Sequence, residues 1–91
     1  MLILVEIDLA GADLALFEDY EARVLARLGE YGATIEARLL SADRRRELHL
    51  LHFPDRQARE DFRNDPVRLA AQDLWTRCGA SAVSSEVTRI A

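Results

Sequence analysis

From Met1 to Leu9, apolar residues recur at every second position. Met1, Ile3, Val5, Ile7 and Leu9 fall on one face, and Leu2, Leu4, Glu6 and Asp8 on the other. A period of two predicts a strand with one wholly apolar side and one mixed side. Gly11-Ala12-Asp13 ends it, with Asp13 placed as a helix N-cap. From Leu14 to Tyr31 the period becomes helical, through Phe17, Tyr20, Val24, Leu28 and Tyr31, and Gly32 follows where a left-handed C-terminal residue belongs. Alternation returns over 33–40, setting Ala33, Ile35, Ala37 and Leu39 against Thr34, Glu36, Arg38 and Leu40. The polar run Ser41–Arg46 predicts a hairpin loop, and Glu47–Phe53 a strand with His49, Leu51 and Phe53 toward the helices and Leu48, Leu50 and His52 away from them. Asp55 caps a second helical region with Ala58 and Phe62 as its stripe. Asp65-Pro66 interrupts it and starts a short helix through Leu69, Leu74 and Trp75 that Gly79 closes. A last strand is predicted over 82–91.

The order is strand, helix, strand, strand, helix, strand, an α+β arrangement in a single domain spanning 1–91. Right-handed crossovers put both helical regions on one face of a four-stranded antiparallel sheet of order 4-1-3-2. The other face is open. Centring the hairpin on 43–44 sets Glu36 opposite Leu50, Arg38 opposite Leu48 and Thr34 opposite His52, while the first strand brings Leu4 to Leu50 and Glu6 to Leu48. Leu2, Leu4, Leu48 and Leu50 then form one apolar patch, with Leu40 and Ile90 at its margins. Burying one leucine is worth roughly 1.5–3 kcal/mol. Four such side chains rival the ~5–15 kcal/mol that holds a small domain together. A second copy covering the patch is the expected solution, so the chain is expected to be a homodimer.

Composition narrows the partners. A net charge of −4 gives no electrostatic reason to expect nucleic acid or an anionic membrane. No apolar run approaches the ~20 residues of a membrane span. The start lacks the basic region of a signal peptide, and a cytoplasmic location is expected. Cys78 is the single cysteine, which excludes an intrachain disulfide and a CxxC metal site.

Candidate chemistry lies on the open face. A histidine side chain changes charge near neutral pH, which makes His52 the candidate general base, with Glu6 in the same cleft as a second catalytic candidate. Arg38 is placed to anchor a carboxylate, or to pair with Glu6 above Leu48, and Glu36 adds an acid in the next row. Leu4 and Leu50 would floor that site. No spacing motif supports a metal among His52, Glu36 and Glu6, and no cofactor is expected. Tyr20, Tyr31 and Trp75 read as packing residues, His49 as a helix-side or edge residue, and Arg44-Arg45-Arg46 as a solvated tip.

Phe17-Glu-Asp-Tyr20, Glu30-Tyr31-Gly32, His52-Phe53-Pro54-Asp55, Ala58, Phe62 and Asp65-Pro66 together resemble the dimeric α+β barrel superfamily, built on the ferredoxin-like fold. The nearest resemblance is to a branch of small bacterial proteins of uncharacterised function, and the Asp65-Pro66 pair is also similar to YciI-related proteins. Ala33 departs from that branch, where a second glycine often follows the position of Gly32. The resemblance implies two ferredoxin-like subunits packed sheet to sheet around a cleft that holds a small apolar or carboxylated ligand. It also leaves open a cofactor-independent monooxygenase or isomerase in that cleft, and a purely structural dimer. The haem-degrading members resemble a pattern with a histidine on the second helix, which this chain lacks.

Overall fold

Most changes of period along the chain mark an element boundary in the computed structural model, which describes all 91 residues. Strand β1 is Leu2–Asp8 and helix α1 is Leu14–Leu25. Asp13 caps α1, its carboxylate accepting a hydrogen bond from the Leu16 amide at 3.2 Å. The helical pattern continues to Tyr31, but the α-helix stops at Leu25 and a 3-10 turn over Leu28–Tyr31 completes the run. Gly32 ends that turn at φ 68°, a conformation that costs other residues more.

Strands β2 (Thr34–Leu40) and β3 (Arg46–His52) form the hairpin, turning where Arg44 takes φ 62°. The Ser41 hydroxyl accepts from the Arg46 amide and the Asp43 carboxylate from the Arg45 amide, each at 3.0 Å, so the tip is closed by side chains. Helices α2 (Arg56–Arg63), α3 (Pro66–Ala70) and α4 (Gln72–Cys78) follow, and β4 is Ser81–Val87. The second helical region is therefore three short helices. Strand β4 is also shorter than its pattern suggests, leaving Ile90 beyond its end and 97% exposed. No helix is long and apolar enough to cross a membrane.

The sheet order is β2-β3-β1-β4, the expected 4-1-3-2 read from the opposite edge. Between β1 and β3 the register is as expected: Leu2 faces His52, Leu4 faces Leu50 and Glu6 faces Leu48. Between β2 and β3 it holds at Thr34 opposite His52 and then fails. Ile35 pairs with Leu51, but the next pair is Ala37 with Leu50, so Glu36 is an extra residue in a β-bulge. Beyond the bulge every side chain of β2 changes face. Leu39, not Arg38, lies opposite Leu48, and Arg38 lies opposite His49 on the helix side. Leu40, expected at the margin of the open patch, pairs with Glu47 on that same side.

The core lies between sheet and helices, where Ile3 and Leu51 meet Tyr20, Val24, Leu28, Phe53 and Phe62. A smaller cluster of Ile7, Leu9, Phe17 and Cys78 fills the other end. Asp65 has no exposed surface and joins three elements. Its carboxylate accepts from Arg27 at 3.0 Å, from the Tyr31 hydroxyl, and from the Arg68 amide at the start of α3 at 3.0 Å. Arg27 and then Tyr31 hold its carboxyl well below the usual range, so it stays ionised. Asp65→Ala would strand Arg27 and Tyr31 and uncap α3 together. Its thermal midpoint is expected to fall far more than that of Asp19→Ala, which breaks only an exposed pair with Arg23. Equal shifts in the two variants would refute this reading of Asp65.

Candidate functional site

The residues expected to form one site are divided between the two faces. Leu4, Leu50 and His52 lie on the open face, with Leu2 and Thr34 on either side of His52. Glu6 is exposed on the same face. Glu36 stands in the bulge, its carboxylate accepting from the Thr34 hydroxyl at 3.3 Å. Arg38 is not with them. The bulge carries it to the helix side, away from Glu6, so the expected Glu6–Arg38 pair does not exist.

Arg38, itself exposed, instead borders a cluster of Glu47 with the buried Glu21 and His49. Its Nε donates to Glu47 Oε1 at 3.0 Å, and its guanidinium lies 3.9 Å from Glu21 Oε2. His49 Nε2 is 3.3 Å from Glu47 Oε2 and 3.6 Å from Glu21 Oε2. Glu21 is 5% exposed and His49 3%. Glu21 Oε2, Glu47 Oε2 and His49 Nε2 all lack a well-aligned hydrogen-bond partner, although they converge on one point. Native interiors seldom leave three such atoms unpaired.

Charge explains how the group holds together. Two carboxylates and one guanidinium leave one excess negative charge, and a single proton cancels it. Burial and then the neighbouring Glu47 push the Glu21 pKa up to about 7, against the pull of Arg38. Burial holds the His49 imidazole below its ordinary value, with Glu47 opposing and Arg38 adding to the shift. The imidazole is therefore neutral where Glu21 takes up or releases its proton. One donor atom from each of Glu21, Glu47 and His49 lies within 4.8 Å of the others, a spacing that suits a divalent cation. Arg38 already supplies a fixed positive charge there, so a mobile proton fits the balance better than an ion of charge two.

Glu21 and His49 also line a cavity of about 470 Å³ between sheet and helices. Its walls are mostly apolar, with Ile3, Val5 and Phe53 beneath and Val24, Phe62 and Trp75 above. Trp75 is tilted against Tyr20 at 5.1 Å between ring centroids, which gives the cavity an aromatic side. It extends over β4, where Ala82 and Ser84 line it and remain exposed. Seven of its eighteen lining residues are polar, so the cavity joins an apolar wall to a set of convergent polar groups.

The same arrangement of strands and helices occurs in solved structures. A cofactor-independent oxygenase, SnoaB from Streptomyces nogalater, superposes with a TM-score of 0.68 at 17% identity, over 97% of this chain and 92% of that one. A dimeric ferredoxin-like protein of unknown function from Jannaschia sp. CCS1 gives 0.68 at 17%, over 96% and 100%. The fold is the ferredoxin-like α+β fold. An uncharacterised NIPSNAP domain protein from Burkholderia xenovorans has a similar fold, with a TM-score of 0.61 at 16% identity over 100% of this chain and 98% of that one. No protein-family model matches the sequence, and no curated protein matches it.

The sequence carries a trace of the buried cluster. Phe17, Tyr20, Glu21, Val24 and Leu28 form one helical stripe, and Glu21 is its only charged member. His49 is one of the residues expected on the helix side of β3. What the sequence conceals is the bulge that brings Arg38 beside them.

Proposed function

We propose that the chain is a homodimer that binds a small, largely apolar molecule in the cavity beneath its helices, and that Glu21 with His49 exchanges a proton with it. The observation that carries this reading is a carboxyl with a pKa of about 7 in the wall of a mostly apolar cavity. General acid–base chemistry works best with a group poised near the working pH. A ligand with an acidic O–H or C–H would give its proton to the Glu21 carboxylate and remain as the anion. His49, neutral in the range where Glu21 titrates, orients the Glu21 carboxyl through the nitrogen that faces both carboxylates.

A second reading, reaction of a bound substrate with dioxygen without a cofactor, is favoured by the likeness to a cofactor-independent oxygenase. Oxygen uptake with hydroxylated aromatic compounds separates this reading from simple binding. The sheet face opposite the cavity supports the homodimer. The bulge adds Leu39 to Leu2, Leu4, Leu48 and Leu50 there, and Val83 of β4 is 65% exposed on the same face.

Trp75 is the only tryptophan and lines the cavity, so its fluorescence reports occupancy. Titration with 4-nitrophenol is expected to quench it saturably. Ala82→Phe, which narrows the cavity at an exposed position, is expected to weaken binding about tenfold, a change of about 1.4 kcal/mol. Quenching that never saturates, or that Ala82→Phe leaves unchanged, would remove the cavity as a binding site.

A further inference from the structure

We infer that the cavity takes its ligand as an anion, its acidic group held by Arg59, Arg63 and Arg68 and its apolar body directed toward Glu21 and His49. The inference rests on the reading of the cavity as a ligand site and specifies the ligand's class and orientation.

All twelve basic residues of the chain are arginines, and their pairing is uneven. Arg23, Arg27, Arg38, Arg56 and Arg77 each lie within 4.0 Å of a carboxylate. Arg44, Arg45 and Arg46 are spread over the exposed hairpin tip, and Arg89 lies past β4. The remaining three, Arg59, Arg63 and Arg68, all line the cavity, and none has a carboxylate partner. Acids outnumber bases in this chain, sixteen to twelve, so an unpaired trio at one cavity is not a consequence of composition.

Their placement costs stability unless something compensates. Arg59 and Arg63 are four apart on α2, where like charges repel. Arg68 is held beside them, donating to the Arg63 carbonyl at 2.8 Å and lying 5.8 Å above the Phe62 ring. Arg59 and Arg68 are half-buried. Gln72 adds an amide to the same lining. A carboxylate among these groups would find guanidinium forks that match its geometry and would relieve their mutual repulsion.

The opposite chemistry at the other lining groups sets the orientation. Glu21 in the lining, with Glu47 behind it outside the cavity, repels an acid group and leaves the Glu21–His49 pair to the less polar end of the ligand. Phe53, Phe62, Tyr20 and Trp75 line the space between, which suits an aromatic body. At about 470 Å³ the cavity accepts a one- or two-ring acid. The class is therefore a small aromatic carboxylate, bound acid group toward α2 and α3.

Quenching of Trp75 by 4-nitrobenzoate and by its uncharged counterpart, 4-nitrobenzamide, tests this at low salt. The wild type is expected to bind the acid at least tenfold more tightly than the amide, and salt is expected to erode the difference. Neither the Arg59 nor the Arg63 side chain donates a hydrogen bond within the chain, so Arg59→Gln/Arg63→Gln should fold normally. That double variant is expected to lose the preference, while Arg44→Gln at the hairpin tip retains it. Equal affinity of the wild type for acid and amide would overturn the anion assignment and leave the cavity reading intact. A preference that survives in the double variant would overturn the role of the arginines. Failure of both probes to bind would remove the cavity reading as well.

Discussion

Glu21→Gln is expected to be more stable than the wild type at pH 8 and to lose any proton transfer in the cavity. Folding raises the Glu21 pKa from an ordinary 4.5 to about 7. Between those values the folded chain holds a proton that the unfolded chain has released, so stability from this group falls as pH rises. It is fully present below 4.5 and lost once the pH passes about 7. A shift of that size corresponds to at most about 3 kcal/mol. Glutamine imitates the protonated carboxyl at every pH and escapes the loss. Its advantage is expected to be largest at pH 8 and to vanish near pH 4.5.

The groups facing Glu21 shape the rest of the profile. Arg38 of β2 keeps its charge throughout, Glu47 of β3 is paired to it, and Tyr20 beside Glu21 has its pKa raised by burial. His49 works in the other direction. Its pKa is lowered on folding, so its contribution is present above pH 6.5 and lost as the pH falls. Because His49 lies 3.6 Å from Glu21, repeating the comparison in a His49→Gln background separates the two contributions. Thermal or urea unfolding from pH 4.5 to 8 reads the difference, and parallel curves for the two proteins would show that Glu21 is not a shifted carboxyl.

Leu50→Asp is expected to turn a dimer into a folded monomer. Leu50 lies opposite Leu4 on the central strands, on the face away from the helices, so the substitution leaves the core between sheet and helices untouched. In a two-fold dimer one substitution places two like charges at the centre of the interface. An unpaired buried charge costs several kcal/mol, which weakens association by at least about a hundredfold. Sedimentation velocity reads the change, and circular dichroism confirms that the fold survives. A wild type that sediments as a monomer at tens of micromolar would sink the proposed dimer.

The position of the cavity also determines what a dimer can contribute. It lies on the helix side, so the second copy covering the sheet does not enclose it. His52, Leu4 and Leu50 belong to the proposed interface, while Glu21, His49 and Trp75 belong to the proposed ligand site. Activity that survives Leu50→Asp would be consistent with this separation.

Much of this architecture was legible in the sequence because its signals are local. A period of two or of about 3.6 depends only on which neighbours share a face. Hence the four strands, α1, the caps at Asp13 and Asp55, and the β1–β3 register could all be read before any coordinates. Element ends were less legible. α1 stops at Leu25 although the apolar stripe continues, because a 3-10 turn also brings Leu28 inward. Nor does a short stretch such as 82–91 state where the chain leaves the sheet.

The sequence by itself determined the order of elements, the two-faced sheet and the apolar patch of Leu2, Leu4, Leu48 and Leu50. Tertiary structure alone decided where the chemistry sits. A single unpaired residue, Glu36, reverses every later side chain of β2 and moves Arg38 from the open face to the buried pair Glu21 and Glu47. Likewise, nothing in the sequence singles out Arg59, Arg63 and Arg68, and only the packing of α2 and α3 places them around one cavity. Alternation assigns a face only while the ladder is regular, and charge acquires a function only when distant segments are brought within a few ångströms.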